Sequence, residues 1–151
     1  MLTAQTYQNH LHATPADHVS LTYEDRFLRR KVLTLASGTQ LLVDLPQTTS
    51  LDHGGALITT EQTEIRIDAA PEPLLEVTGD ALHRIAWHIG NRHTPAQIED
   101  TRILIQRDHV MADMLAKIGA TTREVTESFT PEGGAYGHGR THGHDHTHSH
   151  T

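Results

Sequence analysis

Imidazole is the side chain whose abundance and spacing most clearly suggest chemistry. The chain holds 14 histidines in 151 residues and no cysteine. Histidine falls at every second position through His142, His144, His146, His148 and His150, separated by Gly143, Asp145, Thr147 and Ser149. Neutral imidazole is a good ligand for borderline divalent ions, and neighbouring rings on a flexible chain can hold one ion together. Small polar spacers cannot build a packed core, so residues 138–151 are expected to form a disordered, metal-collecting tail, with a merely solvated polar end as the competing reading. The alternation and Asp145 also set this segment apart from the unbroken run of a purification tag.

The lack of cysteine removes disulfide scaffolds, thiolate nucleophiles and all thiolate metal sites. A metal must therefore sit on imidazole, carboxylate, backbone or water. Outside the tail, His88, His93 and His109 are the informative histidines. His88 closes a predicted helix, His93 lies beyond Gly90 on an expected loop, and His109 opens a second helix. Spacing alone also allows a lone loop histidine to be a surface hydrogen-bonding group. His10, His12, His18, His53 and His83 are read as ordinary side chains.

The elements positioning these residues give an α+β chain. Val19, Leu21 and Tyr23 alternate with polar residues, as do Ile65 and Ile67, and the run from Leu41 is expected to stop at Pro46. These short strands predict a β-rich domain over residues 1–70, of a partner- or peptide-binding type. Pro71 and Pro73 are expected to exclude a central strand and mark a boundary. The rhythm then changes to β-α-β-β-α-β, the ferredoxin-like order, over residues 71–137. Asp80 is the expected cap of the first helix, with Leu82, Ile85, Ala86 and Ile89 inward and Gly90 at its end. Asp108 is the expected cap of the second, whose stripe is Val110, Met111, Met114, Leu115 and Ile118, with Gly119 closing it. The last strand is placed at residues 122–129, anchored by Val125.

A net charge of −7 argues against a nucleic-acid surface. The dense basic cluster Arg29-Arg30-Lys31 is expected on a solvated strand edge. No apolar run approaches the roughly 20 residues a bilayer span needs, and the first residues lack a signal-peptide pattern, so a cytoplasmic protein without a membrane partner is expected.

Two stretches resemble a known family. His88-Ile-Gly-Asn-Arg-His93-Thr-Pro95 and Asp108-His109-Val110-Met111-Ala112-Asp113-Met114-Leu115 look like the signature of UreE, the urease accessory nickel chaperones. Residues 131–137, Pro-Glu-Gly-Gly-Ala-Tyr-Gly, are similar to the segment closing that family's folded part before a His-rich tail. Tyr23, Arg26, Arg29, Arg30, the 41–46 run and Ala69-Ala70 resemble its amino-terminal domain. The resemblance implies a non-enzymatic homodimer that carries Ni²⁺ to apo-urease, with Zn²⁺ or Cu²⁺ as competitors. Its implied partners are urease and its accessory proteins, including a GTPase. It also implies that His93 is the principal ligand, supplied by both subunits, with His109 and His88 secondary. Arg107 stands where certain relatives carry another histidine. His53-Gly54-Gly55-Ala56 replaces a more usual Gly-Asp turn.

The residues themselves leave two other readings open. One is a divalent-metal store, needing the tail alone. The other is a metal-dependent enzyme using His88, His93 and His109 with Glu99 or Asp108. No His-Glu-x-x-His stretch, nucleophile elbow or phosphate loop supports an enzyme.

Overall fold

The computed structural model describes residues 1–133. The tail histidines therefore lie outside the described residues. The chain divides into two compact units, the first Met1–Ala70 and the second beginning at Pro71.

The first unit is a six-stranded mixed sheet in the order β2-β6-β5-β1-β4-β3. Its strands are β1 (Leu2–Gln8), β2 (Asp17–Leu21), β3 (Phe27–Thr34), β4 (Gln40–Ser50), β5 (Ala56–Thr59) and β6 (Glu64–Ala69). Alternation along β6 buries Ile65 and Ile67, and along β4 it buries Leu41, Val43 and Leu45. These join Ala4, Leu33, Leu57 and others in one apolar core. Period-two alternation is what lets one face pack while the other meets water.

Several local expectations need correction. Tyr23 lies in the turn after β2, not in the strand. The 41–46 run does not stop at Pro46, because β4 continues to Ser50. The ladder to β3 pairs Arg30 with Asp44 and then Leu28 with Thr49, so Pro46 sits on a bulged stretch. A residue without an N–H costs nothing where no ladder bond is asked of it. Arg29, Arg30 and Lys31 do lie exposed on the edge strand β3, ion-paired to Asp44 and Asp25 at 3.4–3.7 Å. Arg26 is different: it is buried, and it donates to the carbonyls of Leu21 and Leu51 at 2.9 and 3.1 Å.

The 53–55 turn is fixed by its own residues. His53 Nδ1 accepts the Ala69 N–H at 2.9 Å, which makes this imidazole a structural acceptor. The Tyr7 hydroxyl accepts the Asp52 N–H at 2.7 Å, and burial pushes its phenol up to about 12. Tyr7 also fills the space in front of Gly55, where a Cβ would come within 2.6 Å of the hydroxyl.

The second unit runs β7 (Pro71–Thr78), α1 (Leu82–Asn91), β8 (Gln97–Ile98), β9 (Ile103–Gln106), α2 (His109–Lys117), β10 (Thr121–Ser128). The strand–helix order read from the sequence is therefore present. The four strands form one antiparallel sheet in the order β10-β7-β9-β8. Leu75, Val77, Ile103 and Ile105 pack against Ile85 and Ile89 of α1 and Met111 and Leu115 of α2. Each such aliphatic side chain contributes about 1.5–3 kcal/mol of burial free energy.

Pro71 and Pro73 do lie in a strand that has neighbours on both sides. The expectation failed because β9 pairs only from Leu74 to Val77, leaving the proline half of β7 with β10 alone. That half is locally an edge, where proline is tolerated. Asp80 is not the cap of α1; Ala81 is, without a side-chain bond. Asp108 does cap α2, its carboxylate accepting the Val110 N–H at 3.0 Å. The expected apolar stripe of α2 is narrower than drawn: Met111 and Leu115 are buried, whereas Val110 is 56% exposed and Ile118 37%. Val125 is only half-buried, and Phe129, just beyond β10, is the fully buried anchor.

Candidate metal centre

His93 is held by the way α1 ends. The helix runs through Gly90 to Asn91, with Arg92 as its C-cap. The next residue, His93, has φ +58° and donates its N–H to the Gly90 carbonyl at 2.9 Å. Thr94 N–H reaches the Ile89 carbonyl at 3.4 Å. This pair of bonds is a Schellman motif, in which the residue just past the cap adopts the left-handed conformation. Glycine normally takes that place, since a Cβ makes the region costly; histidine is among the few other residues enriched there.

Gly90, the expected end of α1, does not end the helix. Gly90 is helical and the chain reverses at His93 itself. Glycine spotted in a sequence marks freedom, but here the hydrogen bonds place the reversal three residues later. The consequence for His93 is an exposed imidazole on a backbone fixed from both sides. Thr94 adds to this by donating its hydroxyl to Met111 Sδ of α2 at 3.7 Å.

His93 lines a shallow open groove with Arg92, Thr94, Pro95, Gln106, Arg107 and Asp108. His109, the first residue of α2, lines a neighbouring depression that shares Arg107 and Asp108. His88 is half-buried in the last turn of α1 and opens into a third depression, with Asp80, Arg84 and Gly119. Its ring meets Trp87 edge-on at 5.1 Å between centroids. The three histidines are thus not gathered in one chain. Among the described residues no group of three or more His, Asp or Glu is arranged to hold a metal ion.

Arg107 is common to the His93 groove and the His109 depression. Its guanidinium donates to the carbonyls of Leu74 at 3.1 Å and Val125 at 3.0 Å, tying the β9–α2 loop to β7 and β10. A fixed cation therefore lies between the His93 groove and the His109 depression. Glu124, 3.8 Å from this guanidinium, offsets its charge on the His109 side.

The opposite face of the sheet carries a charged lattice. Arg102 is bonded to Glu127, Glu99 and Glu76 at 2.8–3.1 Å, and Arg123 reaches Glu76 at 3.0 Å. Hydrogen bonds from Arg123, then Arg102, hold the Glu76 carboxyl below its ordinary range, and Arg102 does the same to Glu127. These carboxylates are already committed to arginine and are poor candidates for metal. The chain leaving β10 returns past the His93 segment: Thr130 N–H donates to Gln97 Oε1 and Glu132 N–H to the Ala96 carbonyl, both at 2.8 Å.

Residues 2–70 match the amino-terminal domain of the UreE urease accessory proteins, and residues 72–151 match the carboxy-terminal domain. The chain belongs to the UreE family. A urease accessory protein UreE of Ruegeria sp. (strain TM1040) is 65% identical over 141 residues, covering 93% of this chain and 80% of the relative. That of Ruegeria pomeroyi is 65% identical over 125 residues, covering 83% and 84%. That of Rhodobacter capsulatus is 54% identical over 126 residues, covering 83% and 80%. The role that comes with membership is accessory, in urease maturation, and not enzymatic. This removes the metal-dependent enzyme from the readings left open above. Among the described residues no helix is long and apolar enough to cross a membrane.

Proposed function

We propose that this chain is a cytoplasmic nickel chaperone, acting as a homodimer that binds Ni²⁺ and delivers it to apo-urease with the urease accessory proteins, a GTPase among them. The observation that carries the reading is His93, an exposed imidazole on a left-handed residue that a helix cap holds in place. A single imidazole is a weak site. A two-fold axis would place two together and leave further positions for water or tail histidines. Release to an acceptor then needs few bonds broken.

The tail, His142 to His150, supplies collecting capacity in this reading, with His88 and His109 as secondary ligands. The path of the chain supports a hand-over between tail and His93. Glu132 is bonded beside Ala96, three residues from His93, and His142 follows Gly133 by nine residues, a reach of up to about 30 Å. Zn²⁺ and Cu²⁺ would compete, since imidazole binds both.

Nickel titration of a chain ending at Gly137, with and without His93→Ala, tests the site. The substitution should weaken binding at least tenfold while leaving the oligomeric state and fold unchanged. Equal affinity in the two would remove His93 from the mechanism and leave a metal store whose capacity lies in its tail.

A further inference from the structure

The β1–β2 loop brings two further imidazoles together, their planes tilted by 57°. His10 Nε2 and His12 Nε2 are 3.0 Å apart, and the ring centroids are separated by 4.3 Å. Both side chains are exposed, so nothing in the packing of the core requires them to meet. The loop beneath them is pinned: Glu64 Oε1 accepts the N–H groups of His12 and Ala13 at 2.8 and 3.4 Å. The Glu64 carbonyl takes that of Ala16 at 2.9 Å.

From this geometry we infer that His10 and His12 form a two-imidazole chelate for a late divalent transition-metal ion, with water completing the coordination. The short separation lets both nitrogens reach one ion. With metal–nitrogen bonds of about 2.0–2.1 Å, a 3.0 Å separation subtends about 91–97° at the metal. That is the cis angle of octahedral or square-planar coordination, as favoured by Ni²⁺ and Cu²⁺.

Asn9 prepares the pair. Its Oδ1 is an acceptor only, and it takes a hydrogen bond from His10 Nδ1 at 2.7 Å. In the neutral ring the hydrogen then resides on Nδ1, and Nε2 keeps the lone pair a metal needs. Such partners on the far nitrogen orient a histidine ligand and raise its basicity. Without metal, His12 Nε2–H donates to His10 Nε2. Metal binding requires His12 to carry its hydrogen on Nδ1 instead, a tautomer change with no change in charge. The site lies wholly within the first unit, and it stands independently of the role proposed for His93.

The test reads the His10 and His12 ring nitrogens of the full chain by ¹H–¹⁵N NMR during a Ni²⁺ titration, in the natural protein and in H10Q, H12Q and H93A. Both rings should respond at one common Ni²⁺ concentration. Either glutamine should raise the concentration needed at the surviving ring tenfold or more, because one imidazole is no chelate. His93→Ala should leave both responses unchanged, whether or not it abolishes nickel binding elsewhere. A surviving ring that responds at the original concentration would overturn the proposal, as would rings silent to saturating Ni²⁺ or a response that vanishes in H93A.

Discussion

The two helices of the second unit end in the same way with different residues, and the difference separates a turn that needs only its backbone from one that also carries an exposed side chain. After α2, Gly119 takes the left-handed position with φ +87°, donating to the Ala116 carbonyl at 3.1 Å while Ala120 reaches Leu115 at 2.9 Å. After α1 the same motif is built around His93, at φ +58°. Nothing lies within 4 Å of where a Cβ at Gly119 would stand, so glycine is there for its backbone alone. A non-glycine residue in this region carries strain of order 1–2 kcal/mol. The α1 cap accepts that strain and in return presents an imidazole whose backbone cannot relax without breaking two hydrogen bonds. One cap serves folding; in the function proposed above, the other also positions a ligand.

The comparison is broken most severely at its functional end. His93→Ala should lower nickel affinity of the Gly137-ending chain by at least tenfold, about 1.4 kcal/mol or more, read by calorimetric titration. Urea unfolding of the same variant should shift by no more than about 0.5 kcal/mol, since the side chain is exposed. Gly119→Ala is the mirror experiment: it should destabilise by about 1 kcal/mol through backbone strain while nickel affinity stays put. Truncation after Gly137 should lower the number of Ni²⁺ ions bound but still allow urease activation when nickel is plentiful. Complete loss of activation at high nickel would contradict that division between tail and folded part.

A smaller effect should appear in acid. The Glu76 and Glu127 carboxyls are held below their ordinary range by Arg123 and Arg102. Their contribution to stability is therefore present above the unfolded carboxylate value, about 4.3, and is lost as pH falls through the lower folded values. The midpoint of thermal unfolding should drop across that acid window. Glu76→Gln should flatten the drop, and an unchanged slope would show that this lattice is energetically neutral.

What the sequence revealed and what it hid follow from the range of the interactions. Strand alternation at Ile65 and Ile67, the Asp108 cap and the Gly119 stop are local signals, and each is present in the structure. The strand status of residues 47–50 and 71–73 was hidden because it depends on which neighbour is present at that point along the ladder. Proline is informative only once that partner is known. His93 could be singled out from its sequence context, but its left-handed backbone could not. It follows from hydrogen bonds to Ile89 and Gly90 and not from a residue type. The His10–His12 contact was hidden for a related reason, since Glu64, more than fifty positions away, anchors that loop.

His93→Gly tests the central claim most directly, because it removes the imidazole and the backbone strain together. Urea unfolding and nickel titration should be read on the same Gly137-ending protein carrying H10Q and H12Q, so that the β1–β2 loop histidines do not mask the outcome. The account predicts a chain at least as stable as the original, by up to about 1 kcal/mol after allowing for the greater freedom of unfolded glycine, and nickel affinity reduced at least tenfold. A glycine variant that keeps the original affinity would contradict it, and would make the α1 cap a structural turn like its counterpart after α2.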